Sequence, residues 1–560
     1  MDNKKIAAHL KLLSQLMELH QENTFKIKYI AAASFKIDKL PIKLADKTLA
    51  EIENIDGIGK STSAKIWELI TQNKLQDLED LISATPAGVI EMLSIKGIGP
   101  KKIDIIWNVL GIDTIGELYY ACNENRLIEA KGFGLKTQED IKIGIDFKMA
   151  SNGKFLYAKI KPLNNYYLAL LGDLVSDAKI YESGEFRRKC EIINELVYVA
   201  STSDIPKLLA LIMALPLIKI LESSLNTIVF KDENNATIKI VVCSPEALVT
   251  QLFIETGSPN HILQISESVN LAINHISEAS IYSLAGMDYI EPELREGTNE
   301  IEKALKHDLP LLITHADLKG TLHNHSNWSD GVNSLEEIVA YLRDDLKLEY
   351  LGICDHSKSA VYAKGLSIER VLQQQEEIDH LNKKFAPFKI FKGIESDILG
   401  DGSLDYPNEI LKRFDFVVAS VHQNLKMDEE KATNRLLKAI ENPYTTILGH
   451  PTGRLLLSRS GYPINYEKII DACAANQVAI EINANPLRLD LDWRWHQYAL
   501  EKGVMLCVNP DAHRLEGYLD MHYGINIARK GGLSADKCLN AFSLEQMSAY
   551  FSARKLARNI

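Results

Sequence analysis

One pattern recurs seven times in the C-terminal half: an apolar run with a histidine, carboxylate or amide residue at its C-terminal end. Leu322 leads into His323 and His325, the run 350–354 into Asp355-His356, and 390–394 into Glu395. The runs 416–421, 446–449, 478–482 and 504–508 lead into His422, His450, Asn483 and the Asp511-Ala-His513 stretch. Helix-periodic segments at 335–342, 368–381 and 466–474 fall between them. Parallel strands need such crossovers, and their carboxyl ends carry the chemistry, so 313–560 is expected to be a (β/α)7 barrel. His323 and His325 stand two apart, which in a strand points both imidazoles the same way.

Nine of the 15 histidines lie beyond residue 317. Six of them (323, 325, 356, 422, 450, 513) end strands, together with Asp330, Glu395 and Asp511. One such histidine is ordinarily structural, but a set of nine donors at one mouth implies several divalent ions. Mixed imidazole and carboxylate suits zinc, manganese or iron. His380, His496 and His522 lie off the strand ends and read as surface or packing residues. Arg454, Arg459 and Arg488 follow ligand strands and are candidates for a substrate phosphate. The net charge is −12, with the first 150 residues close to balanced, so the acid excess lies where metals are expected. Seven cysteines without a Cys-x-x-Cys pair suit a reducing cytoplasm. The most apolar run, 208–218, is interrupted by Pro216 and too short to span a bilayer.

Residues 1–150 read as helical throughout. Three glycine turns punctuate them: Asp56-Gly57-Ile58-Gly59-Lys60, Lys96-Gly97-Ile98-Gly99-Pro100-Lys101, and Lys131-Gly132-Phe133-Gly134-Leu135-Lys136. Paired glycines allow a tight turn and close approach of a ligand. The amides of the next helix then face an anion. Gly57, Gly59, Lys60, Gly97, Gly99 and Lys101 are expected to grip a nucleic-acid backbone without reading sequence. The third turn carries the bulkier Phe133 in place of the isoleucine.

From 151 the pattern is mixed α/β, with strands expected at 155–160, 192–200, 227–230 and 237–242. The hairpins, then SGEFRRKCEIINELVYVA (183–200), TIKIVVCSPEAL (237–248) and ETGSPNH (255–261), resemble the X-family DNA polymerases. More closely, the chain resembles their bacterial form with a C-terminal PHP (polymerase and histidinol phosphatase) domain. That resemblance implies an 8-kDa-like helical domain over 1–80, a fingers-like domain over 81–150 and a palm over 151–245. A thumb and linker over 246–312, the linker being 301–312, would then precede the PHP domain at 313–560.

The family's palm holds two metals on an Asp-x-Asp pair and a third Asp. Matched to the expected strands, these positions read Asn194, Leu196 and Lys239, with Glu195 expected to face the other way. Glu185 stands in the triphosphate-gripping segment, and Ile254-Glu255 replaces an aromatic pair, so the polymerase centre is expected to be inactive. In the PHP domain the resemblance gives one metal to His323, His325, Glu395 and Asp511. A second falls to Glu395, His422 and His450, and a third to Asp330, His356 and His513. It implies a manganese-activated 3′-5′ exonuclease, with 3′-end trimming or abasic-site cleavage in base-excision repair; a cytoplasmic monomer is expected. A histidinol-phosphatase-type enzyme, a non-catalytic DNA-end binder and an active gap-filling polymerase are the alternatives. Ala31 to Ser34 and Phe35 replace arginines common in the family, which bears on recognition of a 5′-phosphate.

Overall fold

Asp2 starts the first helix, Asn3–Leu19, by accepting from the Lys5 amide through its side chain. Ile6, Leu10, Leu13 and Leu16 recur every three or four residues along one buried stripe of that helix. The computed structural model describes residues 1–95, 97–128, 130–150, 153–174 and 177–560, without side chains at 147, 149 and 150. Lys96 of the second hairpin and residue 151, where the mixed region was expected to begin, lie outside the described residues. The chain divides into Met1–Lys148 and Met149–Ile560. Among the described residues no helix is long and apolar enough to cross a membrane.

The first unit is helical. Gly57 and Gly97 take φ of +76° and +94°, a region that side-chain-bearing residues rarely enter. Each turn buries its middle residue, leaving Ile58 3% and Ile98 6% exposed. Gly59 and Gly99 then cap the helices Lys60–Gln72 and Pro100–Asp104. The third turn has the same form, with Gly132 at φ +93°, Phe133 buried and the helix Leu135–Ala150 behind it. A larger ring in the plug position leaves the backbone path unchanged.

The second unit opens on a five-stranded sheet in the order 179–183, 196–201, 237–243, 227–231, 219–223. Only Leu196–Ser201 and Thr237–Cys243 pair in parallel. The expected strand at 155–160 ends at Leu156, and a helix runs from Tyr157 to Leu174. Tyr157, Ile160, Asn164, Tyr167 and Leu171 are buried at helical spacing, so the apolar run belongs to a 3.6-residue period. The expected linker at 301–312 is instead packed structure: helix Glu300–Leu305 puts Ile301 and Ala304 into a core with Phe253, Ile265 and Tyr282.

Beyond it, parallel pairings join Gly320–Thr321 to Tyr350–Ile353 and that strand to Lys389–Lys392. A further parallel series runs Glu395–Asp397, Val418–Ser420, Ile447–Leu448, Ala479–Asn483 and Leu506–Asn509. Single parallel bridges tie His356 to Glu395 and Asn324 to Ala512. Leu322, Tyr350, Phe391, Phe416 and Ile447 belong to one core, which the C-terminal helix Leu544–Arg558 enters through Met547 and Phe551. The Phe551 ring stacks on Phe416 at 5.1 Å.

Ion pairs tie the mixed sheet, the helices after it and the parallel strands into one unit. Lys530 reaches the Arg188 carbonyl at 3.2 Å and the Glu296 carboxylate, and Arg529 reaches Glu293 at 2.8 Å. Glu191 accepts from Trp493 and Arg494 at 3.1 and 3.0 Å. At the centre of the helical part, the fully buried Arg295 donates to Glu278 at 2.9 Å, and Arg187 holds the same carboxylate at 2.7 and 2.8 Å.

Burial works to raise the Glu278 pKa, but the two guanidiniums outweigh it and bring it to about 2. Glu278→Gln leaves Arg295 buried with less counter-charge and is expected to destabilise the protein by about 3 kcal/mol at neutral pH. A depressed carboxylate stabilises above its unfolded pKa and stops doing so as pH falls through the folded value. Thermal melts should therefore show a constant gap between wild type and variant down to roughly pH 4.5, closing toward pH 2.

Candidate metal centre

Strand alternation builds the mouth. His323 and His325 are both buried facing one side, while Asn324 between them turns away and donates to the Gly352 carbonyl at 2.9 Å. The other expected donors arrive from the ends of successive strands, with Asp330 supplied by the loop after the first. Glu395 lies at the middle. Its Oε1 is 3.3 Å from His323 Nε2 and 3.1 Å from both His422 Nε2 and His450 Nε2. Its Oε2 is 2.9 Å from His356 Nδ1. Asp511 lies 3.0 Å from His325 Nε2 and 3.6 Å from His323 Nε2, and takes φ +52° to reach inward. Asp330 is 3.5 Å from His356 Nε2 and 3.4 Å from His513 Nε2.

Ligand-type atoms close on one another in three groups: His325, Asp330, His356 and His513; His323, His325 and Asp511; His356, Glu395 and His422. His325 and His356 are thus shared between groups, and His450 meets the set through Glu395. Several of these atoms are buried without a hydrogen bond: His323 Nε2, His325 Nδ1, both nitrogens of His356, Asp330 Oδ2 and Glu395 Oε2. Buried polar atoms are ordinarily satisfied. Lone pairs that converge at 3–4 Å without sharing hydrogens fit a divalent cation among them.

Outer carboxylates fix the imidazoles. Glu481 meets His323 Nδ1 at 2.7 Å, accepts from the His450 amide at 3.2 Å, and is itself held by Asn483 and Asn509. Asp397 bonds His422 Nδ1 and accepts from Ser359. Each pairing turns an Nε2 toward the centre. Burial and the neighbouring His513 and His356 push the His325 pKa down to about 3. At His323 burial acts the same way, but Glu481, Asp511 and Glu395 outweigh it and hold the imidazole well above its usual range. Burial would raise Glu395, Asp511 and Asp330, yet the surrounding imidazoles hold all three well below ordinary carboxylates. The cluster holds its carboxylates ionised, which is the electrostatic setting that a cation completes.

Glu481 and Asp397 escaped sequence reading. The first sits inside the run Val-Ala-Ile-Glu-Ile, where a mid-strand charge was the available signal. The second stands two residues after Glu395, on the same strand.

The three arginines are placed differently from expectation. Arg454 is buried and committed to the Arg488 and Leu489 carbonyls and to Asp492, so its guanidinium is already used inside the protein. Arg459 folds back onto the Gly453 carbonyl at 2.7 Å, and Arg488 is buried.

The palm positions also need correction. Leu196 pairs with Ile238 and lies in the hydrophobic core, while Lys239 pairs with Val197 on the opposite face. Glu195 and Val197 therefore share the Lys239 face, contrary to the expected Asn194 and Leu196. Glu195 is raised by burial, with Lys239 pulling against it and Glu255 and Glu185 adding to it, which places it among those charges. Lys239 pairs with Glu255 at 2.7 Å, and exposed Asn194 donates to Glu185 at 2.6 and 2.9 Å. In the helical unit, Lys60 and Lys101 are exposed, and a side chain added at Gly59, Gly97 or Gly99 would meet nothing. Lys36 closes on Asp56 beside the first turn.

Glycine-hairpin helices, a mixed sheet and a histidine–carboxylate centre on parallel strands define a multidomain α and α/β protein. Residues 1–75 match the model of a helix-hairpin-helix domain, and 89–146 that of a SAM-like helix-hairpin-helix tandem. The chain is 32% identical over 574 residues to the DNA polymerase/3′-5′ exonuclease PolX of Bacillus subtilis (strain 168), covering 98% of this chain and 99% of that protein. It therefore belongs to the PolX family. A probable phosphatase of Thermoanaerobacter sp. (strain X514) is 30% identical over 185 residues, 31% of this chain and 73% of its own. A probable phosphatase of Caldicellulosiruptor bescii is 32% identical over 197 residues, 32% and 73% respectively.

The outer carboxylate gives a direct test. Glu481→Gln keeps the shape but weakens the anchor of His323, and is expected to lower metal affinity roughly 10- to 100-fold. Competition with a chromophoric chelator measures it.

Proposed function

We propose that this protein is a metal-dependent 3′-5′ DNA exonuclease, acting at 3′ ends in base-excision repair, whose polymerase centre is silent. The observation that carries the reading is the mouth itself: nine imidazole and carboxylate residues converge there, seven of them buried, and several of their nitrogens and oxygens lack any hydrogen-bond partner. The parallel pairings, closed by the Asn324–Ala512 bridge, support a distorted (β/α)7 PHP barrel over 313–560. Palm-like and thumb-like segments over 151–245 and 246–312 precede it, after helical domains over 1–80 and 81–150.

His323, His325, Asp511 and Glu395 would hold one ion, with Glu395, His422 and His450 at a second and Asp330, His356 and His513 at a third. Manganese, zinc or iron suits that donor set. Bound ions supply Lewis acidity, which makes water a nucleophile near neutral pH and offsets phosphate charge. The chain's own part is to keep its carboxylates ionised and to hold His323 and His422 by their outer nitrogens through Glu481 and Asp397. Gly57–Lys60 and Gly97–Lys101 deliver DNA through backbone amides and adjoining lysines, independently of sequence. Cytoplasmic location and a monomeric state go with this reading.

Silence of the polymerase centre follows from charge. Two-metal nucleotidyl transfer needs three convergent carboxylates, and the Lys239 face offers Glu195, Val197 and Lys239. Arg187, in the segment expected to grip a triphosphate, is given over to Glu278, and Arg188 to Glu296.

Two outcomes are expected. His323→Ala/His325→Ala lowers 3′-end digestion in Mn²⁺ by more than about 100-fold, beyond the loss of one outer partner, with DNA affinity kept. End-labelled oligonucleotide assays beside binding isotherms measure both, and wild-type digestion by the variant would reject the assignment. The same variant extends no primer with any dNTP in Mg²⁺ or Mn²⁺; templated extension would show a working palm.

A further inference from the structure

The segment 357–366 leaves the strand that carries His356 and returns to it, with the Leu366 amide donating to the His356 carbonyl at 2.8 Å. It is held along its length. Ser357 N donates to the Glu395 carbonyl at 3.0 Å, and Ser359 donates to Asp405 and Asp397 at 2.7 and 2.5 Å. Gln423 holds the Ser359 carbonyl at 3.0 Å, and Arg370 the Lys364 carbonyl at 2.6 Å. Gly365 lies so close to the Ser357 carbonyl that no Cβ fits there. A loop tied this firmly nevertheless holds an apolar tip in water: Val361 is 80% exposed. Tyr362 beside it is half-buried, with its ring centroid 6.2 Å from that of His356. Lys358 and Lys364 are exposed on either side.

An apolar and aromatic tip whose tyrosine ring lies 6.2 Å from that of His356, with Lys358 and Lys364 on either side, matches a nucleotide. A base has a flat face for Tyr362 and Val361, and its phosphates attract lysines. Small phosphate esters lacking a ring would leave the tip in water. Resting on the exonuclease reading above, we propose that Tyr362 and Val361 form a ledge on which the base of the terminal nucleotide stacks, positioning its phosphodiester over the metals. Tyr362 is thus a positioning residue that sets specificity for base-bearing ends. Stacking on an aromatic side chain is sequence-tolerant, so all four bases are accepted.

The test compares full-length wild type, Tyr362→Ala and Tyr362→Phe on two oligonucleotides, one ending 3′ in thymidine and one in a tetrahydrofuran abasic unit. Wild type is expected to remove thymidine with kcat/KM roughly ten-fold above the abasic unit, mostly through KM. Tyr362→Ala should erase that advantage and Tyr362→Phe, which keeps the ring, should retain it. If Tyr362→Ala slows both ends by the same factor, or keeps the advantage, Tyr362 does not stack the base. Absence of wild-type preference would overturn the ledge alone. Wild-type protein inert on both ends would overturn the exonuclease reading and the ledge with it.

Discussion

A single carboxylate governs the C-terminal mouth. Glu395 touches four imidazoles from four different strands at 2.9–3.3 Å, and its own position is set by a strand that the pairings place between two halves of the parallel series. Three of those imidazoles are buried and His422 is partly so, which sets the arrangement apart from a solvated surface network. Removal of the acid would leave imidazoles facing one another, which is why its depressed pKa and their proximity belong to one electrostatic fact. The outer partners, Glu481 and Asp397, then decide which nitrogen His323 and His422 turn inward.

The sheet region tells the opposite story about charge. Residues that a nucleotide-binding palm would leave available are neutralised internally: Arg187 by Glu278, Arg188 by Glu296, Lys239 by Glu255. Lys530, on the helix that follows the Asp511–His513 stretch, joins the same Glu296. Through their shared Glu296, Arg188 and Lys530 tie this sheet to the part of the unit that carries the histidine–carboxylate site.

Most donors at the mouth were legible because they follow a local apolar run that announces them, while Asp330 comes from the loop after His325. The hairpins were legible for a similar reason: two glycines around one apolar plug are a local signature. What escaped was non-local or depended on register. Taking Asn194 and Leu196 for palm positions was a one-residue slip, which in a strand exchanges the two faces; Leu196 turns into the core, and Glu195 joins Lys239. Arg454 read as a phosphate binder because its acceptor, Asp492, lies 38 residues away. The run at 155–160 has apolar residues that satisfy either period, and only its continuation to Leu171 selects the helix.

The central claim is that the buried donors around Glu395 hold metal rather than protons. Anomalous diffraction from crystals of the full chain, collected on either side of the manganese and zinc edges, tests it without reference to activity. Two or three peaks are expected within about 2.0–2.3 Å of imidazole nitrogens and carboxylate oxygens at this mouth. A mouth without anomalous density, its imidazoles hydrogen-bonded directly to Glu395, Asp330 and Asp511, would contradict it.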